Sequence, residues 1–428
     1  MKSSYRLLVA CLFAAAPVVW SAPVSSGSVV KVLKIRDGWE LSVNGKPFFV
    51  KGVGCNDAVG EKGEDYLRMA HEMGANAVRI WGGATREYLD QAHANGLMVN
   101  LGFWLNPIRD KTVESYRDGG HLAGLKHLIL SHVDEMKDHP ALLSWTIGNE
   151  VFYWTENEEE KAEFGRFLEE IIREIHRQDP NHPVVYAASP PEILYLKKYL
   201  PSLDIVGANV YGDFSGMVSS LKSVGYEKPV MATEFGPSGS WEMRKDRNQL
   251  PYDAFDHFKA QNYEKIWYQI EAVRPRSLGG FAFVLGNQRN QDSLTWYNVN
   301  FGERRRAGYW TLYSLYTGQK PPRSVPKIVQ MTLKAPTPLQ PKGEFTIGFS
   351  VSSSSGDPLR YQYMITDIFS DAIALQAPRF FPAEPVEEAP GQARLRAPAD
   401  PGFYRVYVMV SDNHQNIAIA DRTIHVVP

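Results

Sequence analysis

Eight short apolar runs, each followed by a longer amphipathic stretch, constrain this chain more than any other feature. The runs fall at 48–54, 77–81, 98–103, 142–147, 184–187, 205–209, 230–233 and 280–284. Segments with helical spacing lie between and after them, at 64–73, 86–95, 122–137, 156–177, 192–199, 216–223, 252–272 and 306–316. Short apolar strands alternating with helices predict parallel strands joined by crossover helices. Eight such units predict a closed (β/α)8 TIM barrel. The chain has 428 residues, more than the roughly 250 of a typical barrel, so a second, smaller module is expected.

The segment 156–177 shows the helical period clearly. Phe164, Phe167, Leu168, Ile171, Ile172 and Ile175 form one face of a 3.6-residue repeat. Thr155 followed by Glu158 reads as a capping box, and the acidic run Glu158, Glu159, Glu160 as a solvated first turn that complements the helix dipole. After Gly318 the texture changes. Residues 319–326 carry three prolines and hold neither helix nor central strand, so they read as a linker. From 327 to 428 the chain alternates in strand fashion, with runs at 345–351, 361–366 and 404–410 between Ser, Gly, Pro and Asp-Asn clusters. That pattern predicts a β-sandwich of immunoglobulin size. The catalytic barrel is expected over 30–318.

Residues 1–21 read as a secretory signal, with Lys2 and Arg6 ahead of an apolar stretch and a small-residue cleavage site near Ser21. The expectation is export, to the periplasm or beyond, with no transmembrane span, since no later stretch reaches the roughly 18–20 apolar residues a spanning helix needs. Leu8 to Cys11 resembles a lipoprotein box, but the apolar run continues past Cys11, which argues against anchoring there. Without the signal only Cys55 remains, so an internal disulfide and a multi-Cys metal site are excluded. Lys and Arg number 46 against 48 Asp and Glu, which excludes the polycationic surface of a nucleic-acid binder.

In a barrel of this kind the active site lies at the carboxyl ends of the strands. Two runs end in glutamate there: the fourth at Gly148, Asn149 and Glu150, and the seventh at Glu234. Two carboxyls on one rim can face each other across a bond, one protonated as acid and the other ionised as nucleophile. Arg79 on the second strand can hold Glu234 ionised. Asn149 can pair with a sugar hydroxyl, and Asn209 and Tyr211 end the sixth strand, where a phenol can bond the nucleophile. Trp104 and Asn106 follow the third strand, Trp154 and Trp241 follow the two glutamates, and Trp296 lies in the insertion 287–305; these are candidates for sugar subsites. Trp81 and Trp145, within strands, read as core, and His132 and His139 as packing residues.

Arg79, Asn149, Glu150, Tyr211 and Glu234 together resemble the layout of the clan of retaining (β/α)8 glycosidases that includes glycoside hydrolase families 2 and 5. The resemblance covers roughly residues 37 to 318, including the segments 43–53 and 74–79. It implies that Glu150 is the acid/base, Glu234 the nucleophile, Asn149 a contact to the hydroxyl beside the anomeric carbon, and Tyr211 and Arg79 supports of the nucleophile. The chain departs from it in two places. The eighth run has no Trp at its end, and the sandwich domains that precede the barrel in full-length family 2 enzymes are missing.

Neither a nucleophile elbow, a phosphate loop, a dinucleotide fingerprint nor a zinc-protease helix motif occurs. No cofactor or metal is expected. The sequence therefore predicts a retaining β-glycosidase acting on a β-linked glucan or a related polysaccharide or oligosaccharide. The alternatives are a transglycosylase using the same two glutamates and a glycan-binding scaffold without turnover.

Overall fold

The computed structural model describes residues 27–105, 118–155, 157–286, 293–354, 356–368 and 379–428. The signal segment, Cys11 and Asn106 lie outside the described residues. Three short antiparallel strands come first: β1 (Val30–Ile35), β2 (Gly38–Val43) and β3 (Lys46–Phe48). Eight parallel strands follow and close into a barrel: β4 (Val50–Gly54), β5 (Ala77–Ile80), β6 (Met98–Phe103), β7 (Leu142–Asn149), β8 (Val184–Ala188), β9 (Ile205–Val210), β10 (Val230–Phe235) and β11 (Ser277–Ala282). β11 pairs with β4 to complete the ring. The apolar runs of the sequence and these strands coincide within a few residues, because strands covered on both faces read as continuous hydrophobic stretches.

Helices α1 (Tyr66–Glu72), α2 (Arg86–Ala94), α3 (Gly119–Met136), α4 (Val151–Trp154), α5 (Glu158–Gln178), α6 (Ile193–Tyr199), α7 (Phe214–Ser223), α8 (Asp256–Ala272) and α9 (Ala307–Thr317) surround the barrel. The start of α5 corrects one expectation. Its N-cap is Asn157, whose side chain accepts from Glu160 N, while the Thr155 hydroxyl donates backwards to Phe152 O. Asx side chains compete well for this position, and Thr155 closes the preceding turn instead. Among the described residues no helix is long and apolar enough to cross a membrane.

The sheet of β1 to β3 seals the amino end of the barrel. Val30 and Leu41 pack with Val50, Leu143, Val185, Met231 and Phe281 in one buried cluster. Ser28 fastens this corner by donating to Leu142 O at 2.7 Å; its Oγ lies 3.0 Å from His182 Nε2, and His182 Nδ1 lies 2.8 Å from Asp179 Oδ2. Ser28, His182 and Asp179 are each at most 3% exposed, so this Ser-His-Asp row is a clasp with no access for a substrate.

Two short strands, β12 (Asn300–Phe301) and β13 (Arg304–Arg305), precede α9, and two antiparallel sheets end the chain. One has the order β14 (Lys327–Lys334), β15 (Glu344–Ser352), β19 (Gln392–Arg396), β18 (Glu387–Ala389). The other runs β17 (Phe380–Phe381), β16 (Arg360–Asp367), β20 (Gly402–Ser411), β21 (Ile417–Val426). Residues of both sheets share one core, including Phe345, Ile347 and Leu395 with Val406, Val408 and Ile424, so the sheets form a sandwich.

Strand β20 is buried on both faces. Tyr404, Val406, Val408 and Val410 enter the sandwich core, while Tyr407 and Met409 join Leu294, Ile417 and Ile419 in a second cluster facing the barrel. Arg405, on that barrel-facing side by the two-residue alternation of a strand, lies in a seam of buried charge. It pairs with Asp421 and donates to Pro251 O at 2.9 Å. Lys259 pairs with Asp253 at 2.6 Å, and Arg306 with Asp256. All six side chains are less than a tenth exposed.

Candidate active site

The carboxyl end of the barrel gathers most of the residues singled out above. Inside the barrel a polar ladder leads up to them: Asn100 donates to Ser144 Oγ at 2.7 Å and accepts from Thr146 Oγ1 at 2.8 Å, and Thr233 Oγ1 donates to Asn209 Oδ1 at 2.8 Å. Buried polar groups have to be paired, and these strand residues pair with one another across the ring.

Glu234 is the second-last residue of β10 and is 7% exposed. Three donors hold its carboxylate. Arg79 Nη1 and the Trp81 indole both reach Oε1, at 2.9 and 2.8 Å, and the Tyr211 hydroxyl donates to Oε2 at 2.5 Å. Arg79 is 1% exposed and donates as well to Thr233 O and Asn149 Oδ1, both at 2.8 Å. Its guanidinium stacks over the Trp81 ring, 4.7 Å from the centroid. Burial lowers the Arg79 pKa from its ordinary value, and Glu234 works against that shift. Burial and then Glu234 push the Tyr211 phenol well up, so it remains a donor.

Glu150 sits where β7 gives way to α4. Gly148 has φ 81° and Glu150 itself has φ 55°, both in the left-handed region that a side-chain-bearing residue rarely enters. A Cβ on Gly148 would lie 3.1 Å from the Tyr186 ring. The turn they make carries Glu150 out of the strand line and over the rim, where its Oε1 accepts from Asn209 Nδ2 at 2.9 Å. Asn209 also donates to Asn149 Oδ1 at 3.1 Å. A hydrogen-bonded path thus runs from Tyr211 through Glu234, Arg79, Asn149 and Asn209 to Glu150. Burial, then the charge of Glu234, then that of Glu192 push the Glu150 carboxyl up to about 8. At neutral pH it holds a proton.

The structure brings Arg79, Asn149, Glu150, Asn209, Tyr211 and Glu234 into one network. Trp241 is 65% and Trp104 40% exposed, and Trp241 meets Tyr211 edge-on at 6.4 Å between ring centroids. Trp154 is half-buried against Tyr153 on α4. Trp296 does not reach the rim. It is 1% exposed, donates its indole to Ser238 O at 2.9 Å, and lies under Lys259 and Arg405 of the seam. Trp145 and His139 are core residues, 0% and 2% exposed, and His132 packs edge-on to Phe103.

Trp81 corrects its reading as core, since its indole bonds Glu234. The signal was present, because Arg79 and Trp81 are two residues apart on an extended segment and so point the same way. Phe283 and Tyr297 were missed too. Phe283, beyond β11, stands edge-on to Trp81 at 5.3 Å and to Tyr211 at 6.0 Å, and Tyr297 leans on Tyr211 at 5.2 Å. They form the wall behind the Tyr211 phenol, on the side where the sequence lacks a Trp. Among the described residues no group of His, Cys, Asp and Glu could hold a metal ion.

No family model matches the chain, and no curated protein matches it. Solved structures do. A Bacteroides uniformis β-glucuronidase 2, covalently bound to cyclophellitol-6-carboxylate aziridine, matches with a TM-score of 0.52 at 14% identity, over 91% of this chain and 47% of that one. The β-D-glucuronidase of Dictyoglomus thermophilum matches with 0.52 at 16% identity, over 68% and 54%. A family 2 β-galacturonidase from Eisenbergiella tayi gives 0.50 at 16%, again over 68% and 54%. The likeness is one of fold. The chain spans about half the length of these structures.

Proposed function

We propose that this protein is a retaining β-glycosidase acting on a β-linked glucan or a related polysaccharide or oligosaccharide, and that it works after export. Glu234 attacks the anomeric carbon while Glu150 gives its proton to the leaving oxygen, and a glycosyl-enzyme ester forms on Glu234. Glu150, now ionised, takes a proton from the acceptor, which displaces the ester. Water as acceptor gives hydrolysis, and a second sugar gives transglycosylation.

One observation carries this reading: the two carboxyls of one hydrogen-bonded network lie in opposite environments. Glu234 is fixed by Arg79, Trp81 and Tyr211, as a carboxylate nucleophile requires. Among the described residues Glu150 is held by one amide, and burial keeps it protonated, as an acid requires. Asn149 stands between them to meet the hydroxyl beside the anomeric carbon, and Trp104, Trp154 and Trp241 offer ring faces for further sugars. The two C-terminal sheets complete this reading as an immunoglobulin-like sandwich packed on the barrel.

The test is covalent labelling together with a product profile. A panel of β-1,2, β-1,3, β-1,4 and β-1,6 glucans, mannans, xylans and uronic-acid oligosaccharides is incubated with the protein and read by mass spectrometry, beside cyclophellitol-type aziridines of matching configuration. The expected result is an ester mapped to Glu234 and shortened or lengthened products that disappear in Glu234→Gln. Labelling at another residue, or products that persist in that variant, would overturn the assignment.

A further inference from the structure

Helix α4 has an N-cap that does not cap. An N-cap side chain ordinarily accepts from the free N–H groups of the first turn. Glu150 holds that position and makes no such bond, its carboxyl being turned to Asn209. The free N–H groups are taken by the next barrel unit instead. Phe152 N donates to the Tyr186 hydroxyl at 3.1 Å and Tyr153 N to Glu192 Oε1 at 2.9 Å, and the Tyr186 hydroxyl donates to that same oxygen at 3.0 Å. The other oxygen of Glu192 accepts from Ser189 N at 2.6 Å and Ser189 Oγ at 2.8 Å.

Glu192 is 0% exposed, and among the described residues no ion pair reaches it. A buried carboxyl without a cation is costly. Capping a turn does not require one, since an amide or hydroxyl oxygen accepts as well. The position of Glu192 under the turn that starts at Glu150 gives the carboxyl a use. Together with Tyr186 it takes up the two donors toward which a glutamate in this place would fold, and it sets a negative neighbour against the ionised form of Glu150.

We propose that Glu192 is a positioning residue for the acid/base: with Tyr186 it takes over the N–H groups of α4, and so keeps the Glu150 carboxyl turned toward the bond being cleaved. This rests on Glu150 being the acid/base. When Glu192 is absent, Phe152 N and Tyr153 N draw the Glu150 carboxyl back into an ordinary cap, and proton delivery fails while nucleophilic attack by Glu234 continues.

The readout is leaving-group dependence. A dinitrophenyl β-glycoside of the sugar that labels the enzyme leaves without a proton, whereas the natural glycan needs one. For Glu192→Ala, kcat/KM on the glycan should fall by about 10²-fold or more, and on the dinitrophenyl glycoside should stay within about threefold. Tyr186→Phe removes one hydroxyl and keeps the ring, and should show the same split at smaller size. Glu192→Gln keeps an acceptor for Tyr153 N but loses the charge; it should retain activity on the glycan with the alkaline limb of its pH profile moved down. These two variants carry the test if Glu192→Ala does not fold.

Equal losses on both substrates would mean a merely structural role and would overturn the proposal, as would no loss on either. Glu150→Gln serves as the reference. A split in Glu150→Gln alone sinks the role of Glu192 and leaves the acid/base assignment standing. No split in Glu150→Gln sinks the assignment itself.

Discussion

Two buried clusters of charge lie on either side of the apolar group of Phe283, Trp296 and Tyr297, and they are built on opposite principles. In the seam between barrel and sandwich each carboxylate has its own cation: Asp253 with Lys259, Asp256 with Arg306, Asp421 with Arg405. On the rim, the buried Arg79 is committed to Glu234, and among the described residues no ion pair reaches Glu150 or Glu192. The seam is balanced because its work is to hold two parts together, and an unmatched buried charge there would be pure loss. The rim keeps a surplus of carboxyl because the surplus holds a proton in place. Even the seam is not fully relaxed, since burial and the neighbouring Asp421 push Asp253 up to about 7 in spite of Lys259.

The contrast can be broken from either side. The largest effect is expected for Glu234→Gln, which keeps an acceptor for Arg79 and Trp81: kcat should drop by more than about 10⁴-fold with the melting temperature nearly unchanged. Next is the seam, where Arg405→Met strands Asp421 and should cost about 3–5 kcal/mol in urea unfolding. The double variant Arg405→Met/Asp421→Asn should recover most of that; if it does not, the pair is not what holds the seam.

A smaller effect follows from the proton on Glu150. With Glu150 as the proposed acid, which has to be protonated, kcat/KM of the unaltered protein should decline above a pH of about 8, roughly tenfold per pH unit. A profile flat to pH 10 would contradict the environment described. The smallest effect concerns stability. In the unfolded chain Glu150 loses its proton near 4.5, its ordinary value, and in the folded one near 8, so ionisation favours unfolding and the native state loses stability as pH rises between those values. Glu150→Gln should therefore match the parent at pH 4 and melt higher at pH 8, by about 5 °C. A lower melting temperature at pH 8 would show that the site carries no such strain.

The barrel was legible because strands buried on both faces leave apolar runs of the right length, and because Glu150 and Glu234 interrupt two of them at the same end. The eighth strand was read three residues late, at 280–284 against Ser277–Ala282, since its start, Ser277 to Gly280, carries little hydrophobicity. Trp296 illustrates what sequence position alone leaves open. A loop tryptophan near a site reads as a sugar platform, and only the fold reveals Arg405 and Lys259 packed against it. The role of Arg405 left a trace all the same, as the one charge inside the apolar run 404–410. Glu192 left less, because its value depends on the conformation of a turn on a different strand.

The seam also imposes an order in time. A chain leaves the ribosome amino end first and its earlier parts begin to fold before the later ones exist. Arg405 and Asp421 are made long after Glu150 and Glu234, and they close on Asp253 and Pro251 behind the wall that supports Tyr211. A nascent chain thus holds both carboxyls before the strand that packs behind them has been synthesised, so activity should appear only after β20 and β21 have closed on the barrel.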